Sequence, residues 1–202
     1  MLAPAKISPA GKPAGNISLL PRRYEAHSLH ASSFRTNAKF SVDDTILTLS
    51  SAVATIEPRS NAPGYSWLRI TFYSFLLTAE DVAAVAKGDI EPLERTWSRT
   101  TNDAKKYNTS HAVIQLSVDK AFKVWQVDMS VPGHTCTIAP CEQDVRSFLQ
   151  DYGFDGKRLR LRSKGSYVCD MKSLGIPDQK FGWQIDLNVP VFEKVNAERR
   201  PR

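Results

Sequence analysis

The stretch HTCTIAPCEQD, residues 134–144, concentrates the reactive side chains of this sequence: one of four histidines and two of three cysteines. On an extended chain the side-chain period is two, so His134, Cys136 and Ile138 share a face. Cys141 falls in the first turn of a predicted helix, and Cys169 shares a later strand face with Tyr167 and Met171. Four chemistries fit these residue types. His134, Cys136, Cys141 and Cys169 supply the donors of a Cys₃His zinc centre, but the C-x₄-C spacing lacks the close pair of a common zinc module. Cys136 and Cys141 can form a disulfide if the chain doubles back through Ile138-Ala139-Pro140, because bridged Cα atoms lie within about 7 Å. Cys141 at a helix N-terminus can be an activated thiolate, opposed by Glu142 and Asp144 beside it. The preferred reading is plainer: small buried sulfurs between a sheet and a short helix, with His134 a turn residue after Pro132-Gly133.

A second candidate is GKRLRLRSKG, residues 156–165. In a strand Arg158, Arg160 and Arg162 line one face and Lys157, Leu159 and Leu161 the other. Three guanidinium groups in a row can grip phosphate, sulfated glycan or an acidic partner. The alternative is a solvated face whose charges protect a sheet edge from pairing. No aromatic platform for single-stranded nucleic acid accompanies the row.

The remaining acids have structural roles. Glu80, Asp81, Glu142 and Asp144 sit in first turns of predicted helices, where they complement the helix dipole. No nucleophile elbow, HExxH, P-loop, dinucleotide fingerprint or EF-hand pattern occurs. No catalytic residue set is read from the sequence, and no cofactor is expected.

These candidates need elements to position them. The chain has 202 residues and 42% hydrophobic composition, enough to bury a core without staples. Its net charge of +6 is unevenly spread. The first 39 residues carry six basic side chains and one acid, and the last ten carry four basic and two acidic, which leaves residues 40–192 close to neutral. The basic excess thus belongs to the ends, where it can hold an acidic partner or nucleic acid.

MLAPAKISPAGKPAG reads as an extended linker without the apolar core of a signal peptide, a start that leans towards a mature secreted or periplasmic chain. No apolar run is long enough for a transmembrane helix. Residues 1–38 are expected to form an extended basic arm, 39–193 one β-rich domain, and 194–202 a basic tail. The junctions at 71–85 and 135–148 resemble one another, so 40–98 and 110–193 can also be read as two β-β-α halves.

Alternation predicts strands at 45–58 with a bend at Ser50-Ser51, at 65–78, 111–119, 122–133, 134–139 and 181–192. Trp125, Val127, Met129 and Val131 are expected on one face. Residues 157–162 and 166–171 read as two strands paired across Ser163-Lys164-Gly165. Pro190 marks 181–192 as an edge strand or a strand end. Thr78 with Asp81 forms a box-like helix start. Val145, Phe148, Leu149 and Tyr152 recur at helical spacing up to Gly153. The expected fold is α+β and β-rich: an antiparallel sheet-dominated body, a sandwich or a curved sheet, with two short helices near 79–87 and 141–152. An all-β sandwich is the alternative.

The expected function is a non-enzymatic binding or structural module with a protein or glycan partner. The alternatives are a zinc- or thiol-dependent protein centred on His134, Cys136 and Cys141, and a polyanion or nucleic-acid binder using the arginine strand.

Overall fold

The computed structural model describes residues 30–86, 111–131, 134–138, 142–170, 175 and 177–193. Most of the arm, the segment 87–110, Cys141 and the basic tail fall outside the described residues. The element order is a 3-10 turn (Ala31–Phe34), β1 (Arg35–Val42), β2 (Thr45–Pro58), β3 (Tyr65–Tyr73), α1 (Ala79–Ala86), β4 (His111–Asp119), β5 (Val124–Val131), β6 (His134–Ile138), α2 (Glu142–Phe148), β7 (Asp151–Phe154), β8 (Arg158–Cys169) and β9 (Gln179–Glu193).

The nine strands form one sheet in the order β6-β5-β4-β3-β2-β1-β9-β8-β7. Every neighbouring pair is antiparallel. The expected β-rich α+β body is therefore present as a curled sheet, with two short helices on it. β1 lies between β2 and β9 and is shorter than either. Beyond its first residues β2 and β9 close on each other in parallel, Ala54 opposite Val191.

The main core is one apolar cluster inside the curl. It takes Phe40 from β1, Ile70 and Phe72 from β3, Ile114 and Leu116 from β4, Met129 from β5, Leu159 and Leu161 from β8, and the set Phe181 to Val191 from β9. This single cluster draws on both of the halves distinguished in the sequence. Val145 and Phe148 of α2 complete it. A smaller cluster on the opposite face packs Phe34, Val53, Tyr73, Leu77, Val82 and Phe192 under α1 and the 3-10 turn, over the β2–β9 seam. Along β2 the inward parity changes from Leu47 and Leu49 to Ala52, Ala54 and Ile56, so the bend expected at Ser50-Ser51 is where the strand switches faces. Thr78 and Asp81 cap α1 reciprocally, with N–H···O distances of 2.8 and 3.2 Å.

Five expectations are corrected. The arm ends earlier than residue 38, because Arg35–Val42 alternates Ala38, Phe40 and Val42 into the core and forms β1. The second helix stops at Phe148 rather than near 152, since Asp151–Phe154 is taken as an edge strand by β8. Tyr152 follows helical spacing by coincidence; its hydroxyl donates to the Phe122 carbonyl at 3.0 Å. Residues 157–171 do not make a hairpin: Arg158–Cys169 is one strand, paired throughout with β9. β9 is interior, not an edge. Pro190 is tolerated because Val191 N–H donates to Lys157 O on the β8 side, which turns the proline nitrogen towards the other side, past the end of the β1 pairing. Finally, β5 carries a bulge opposite Ser117 and Val118. Val124 is buried in place of Trp125, which is 47% exposed.

Gly165 explains why Ser-Lys-Gly is not a turn. A Cβ there would lie 2.9 Å from Trp183 Cζ2. The indole cannot retreat, because its Nε1–H donates to Ser163 Oγ at 2.8 Å and its ring meets Phe148 at 5.2 Å. Glycine in a strand ordinarily costs stability, yet Gly165→Ala is expected to destabilise by about 1–3 kcal/mol through overpacking. Chemical denaturation would read this directly, and a neutral or stabilising result would show that Trp183 is not fixed.

Candidate binding site

Among the described residues the β4–β5 hairpin builds the most exposed aromatic site. Asp119 Oδ1 accepts the backbone N–H of Ala121 at 2.8 Å and of Lys123 at 2.9 Å. Its other oxygen accepts the Trp125 indole N–H at 3.4 Å. The Lys123 amide above all, then Ala121 and Trp125, hold the Asp119 carboxyl below the usual carboxylate range despite some desolvation. This turn places Phe122 at φ +60°, an uncommon conformation for a bulky residue. Phe122 is held there by Tyr152 and by edge-on packing against Phe154 at 4.6 Å. The turn and the bulge after it together direct Trp125 outward, the re-aiming that bulges perform.

Trp125 borders a recess of about 520 Å³ between β5 and the α2–β7 segment. Val124, Val145, Leu149 and Tyr152 give it apolar surface, and Lys123, Arg146, Gln150 and Asp151 give it a polar rim. Lys123 Nζ sits 4.7 Å from the Trp125 ring centre, and the half-exposed Tyr65 meets the same ring edge-on at 6.5 Å. A volume of this size, lined by apolar and polar surface in about equal parts, falls in the range of ligand pockets. Tyr152 beside it is a neutral phenol, its pKa driven upward first by burial and then by the Asp119 charge.

Two other recesses are less equipped. One of about 210 Å³ lies at the mouth of the curl among Ile56, Tyr65, Phe122 and Phe154. Another, about 680 Å³, lies by the β1–β2 turn beside exposed Ile46 and buried Trp183. On the outer face of β2–β5, Arg59 lies 4.1 Å over Trp67 with its buried Nε left without a hydrogen-bond partner among the described residues, Arg69 donates to Gln115 at 2.9 Å, and Gln126 donates to Asp128 at 3.0 Å.

The residues singled out in the sequence fall elsewhere. His134 and Cys136 lie on β6, paired with Val131 and Met129; their side chains, and all of Cys141, lie outside the described residues. Cys169 ends β8, is buried in the main core and is disulfide-bonded. A disulfide sulfur is not a thiolate ligand, which removes Cys169 from the Cys₃His zinc set. With three cysteines in the chain, the partner of Cys169 is Cys136 or Cys141, so those two are not bridged to one another. Cys169 is buried, as the space-filling reading expects, but as half of a bridge. Among the described residues no group of three or more His, Cys, Asp and Glu side chains could hold a metal.

Arg158, Arg160 and Arg162 do line one strand face, but each has an acceptor on a neighbouring strand. Arg158 donates to Asn188 Oδ1 at 3.0 Å and to the Asn188 carbonyl at 2.7 Å. Arg160 pairs with Asp151 at 2.9 Å and Arg162 with Asp186 at 3.4 Å. Two of the three guanidinium groups thus meet a carboxylate, and Arg158 meets neutral acceptors. Trp125 is the residue that alternation misplaced. The signal was present in FKVWQV, where Phe122 and Val124 continue one frame and Trp125 and Val127 another, as a bulge requires.

No protein-family model, curated protein or solved structure matches the chain. Among the described residues no helix is long and apolar enough to cross a membrane.

Proposed function

We propose that the chain is a non-enzymatic binding module that engages a protein or glycan partner through the recess beside Trp125. The observation that carries this reading is the outward placement of Trp125 by the β5 bulge, at the border of a recess lined by both apolar and polar side chains. A large aromatic left exposed and flanked by a second ring and a cation has the composition of a binding hot spot. On the arginine face, by contrast, Arg160 and Arg162 each pair with a carboxylate, which favours a solvated surface over a polyanion site.

The test is a thermal-shift panel of peptides and oligosaccharides on the full chain, with turnover of each compound followed in parallel. A true ligand at 100 times its Kd stabilises the protein by about 2.7 kcal/mol. Trp125→Ala is expected to fold normally, because the side chain is exposed, and to lose at least tenfold in affinity, or about 1.4 kcal/mol. Ligands that bind the variant equally well, or compounds that the protein converts, overturn the reading.

A further inference from the structure

The smaller recess, about 210 Å³ at the mouth of the curl, is walled mostly by apolar side chains. Three of them carry rings: Tyr65 from β3, Phe122 from the β4–β5 turn and Phe154 from β7. Phe122 and Phe154 pack edge-on at 4.6 Å and lean on the main core, yet both keep part of their surface exposed. Tyr65 meets Trp125 edge-on at 6.5 Å and is 36% exposed. Phe122 is also the bulky residue at φ +60°, and backbone strain of this kind gathers at ligand clamps. The mouth is acidic as well. Val191 enters the main core and Phe192 the opposite cluster, so Glu193 returns to the inner frame of β9, opposite Ile56, and lines the recess. Among the described residues its carboxylate belongs to neither ion pair. Asp119 adds a second negative charge, with its oxygens already accepting N–H groups of the hairpin. Lys120 is the cation of this lining; it is exposed, and its stem lies over Gly64, where a Cβ would meet its Cε at 3.4 Å.

We infer that the mouth of the curl is a second binding site, taking a small quaternary ammonium molecule of the choline class among Tyr65, Phe122 and Phe154, with Glu193 as its counter-charge. Aromatic rings attract such a cation through their quadrupoles, and its charge lies on a C–H surface that asks for no hydrogen bonds. That suits walls made mostly of hydrocarbon. A primary ammonium would bring three donors, and the Asp119 oxygens are already engaged by the hairpin. An anionic ligand would face the charges of Asp119 and Glu193 against that of Lys120 alone.

The test is calorimetric titration of the full chain with choline and with neohexyl alcohol, the uncharged isostere in which carbon replaces the nitrogen, each into the high millimolar range. Choline is expected to bind about tenfold more tightly than the isostere. Glu193→Gln should weaken choline about tenfold and leave the isostere unchanged, while Lys120→Ala should tighten choline. Tyr65→Ala should weaken choline about fivefold, and Tyr65→Phe should keep the wild-type affinity. If Tyr65→Ala folds poorly in a melting experiment, the substitutions at Glu193 and Lys120 still decide the outcome. Equal binding of choline and its isostere, no saturable binding of choline, or an unchanged affinity in Glu193→Gln overturns the inference. Binding to phosphatidylcholine vesicles without binding to free choline gives the group to a lipid surface and overturns it too.

Discussion

Replacing Phe148 with alanine is expected to lower the unfolding free energy by about 3–5 kcal/mol, the range for removing a fully buried phenylalanine. The size follows from where the residue stands. Phe148 is the last residue of α2 and has no exposed surface. Its ring meets Trp183 of β9 at 5.2 Å, and its carbonyl accepts the Ser163 hydroxyl of β8. Ser163 in turn accepts the Trp183 indole N–H. Phe148 therefore joins the helix to two strands, by its ring to β9 and by its backbone carbonyl to β8. A cavity there can collapse little, because Trp183 is fixed by Ser163 and roofed by Gly165. In a domain of this size each kcal/mol moves the melting temperature by about 2–4 °C, so the variant should melt more than 6 °C lower. Phe148→Leu retains most of the volume and should cost less than half as much. A loss below 1 kcal/mol for the alanine variant would show that α2 is not the element that closes the curl.

That closure was only partly legible in the sequence. The Phe181–Val191 alternation fixes a strand face outright, because six apolar side chains at period two cannot serve a helix. The Thr78–Asp81 cap is likewise local chemistry, and it formed as read. The failures share a cause: each pattern had two local solutions and a distant partner chose between them. Ser-Lys-Gly resembles a turn until Trp183, eighteen positions later, is seen to need the space over Gly165. Tyr152 fits a helix until β8 offers a ladder and Phe122 a carbonyl. Arg35–Val42 is a weak strand alone, and it becomes a central one only because β2 and β9 flank it on both sides.

The candidate site was hidden for the same reason. Trp125 comes from the β4–β5 hairpin, and Val145, Arg146 and Leu149 come from α2. Nothing local to either segment reveals that they share a recess. The cysteines and the arginine row drew attention because of their residue types alone. Their surroundings gave them other work: a disulfide in one case, and cross-strand pairing with Asp151, Asp186 and Asn188 in the other.

Cys169→Ser should cost about 3–4 kcal/mol, the chain-entropy value for opening a loop of roughly 30 residues. Cys169 ends β8 and is 6% exposed within the main core. The sequence leaves Cys136 and Cys141 as the possible partners; Cys136 belongs to β6, at the opposite border of the sheet, and β6 and β8 approach each other. A bridge to Cys136 would tie the two borders of the curl beside α2, which touches both β5 and β8. Three measurements check this. Unfolded, unreduced protein should show one reactive thiol per chain, and reduced protein three. Reduction should destabilise the wild type by the same amount as the substitution and leave Cys169→Ser unchanged. Peptide mapping then assigns the partner. Because thiols stay reduced in a glutathione-buffered cytosol, the chain should reach full stability only after folding in an oxidising compartment. Three reactive thiols in the unreduced chain, or a serine variant as stable as the wild type, would remove the bridge as a source of stability and leave closure of the curl to Phe148 and the Tyr152–Phe122 contact alone.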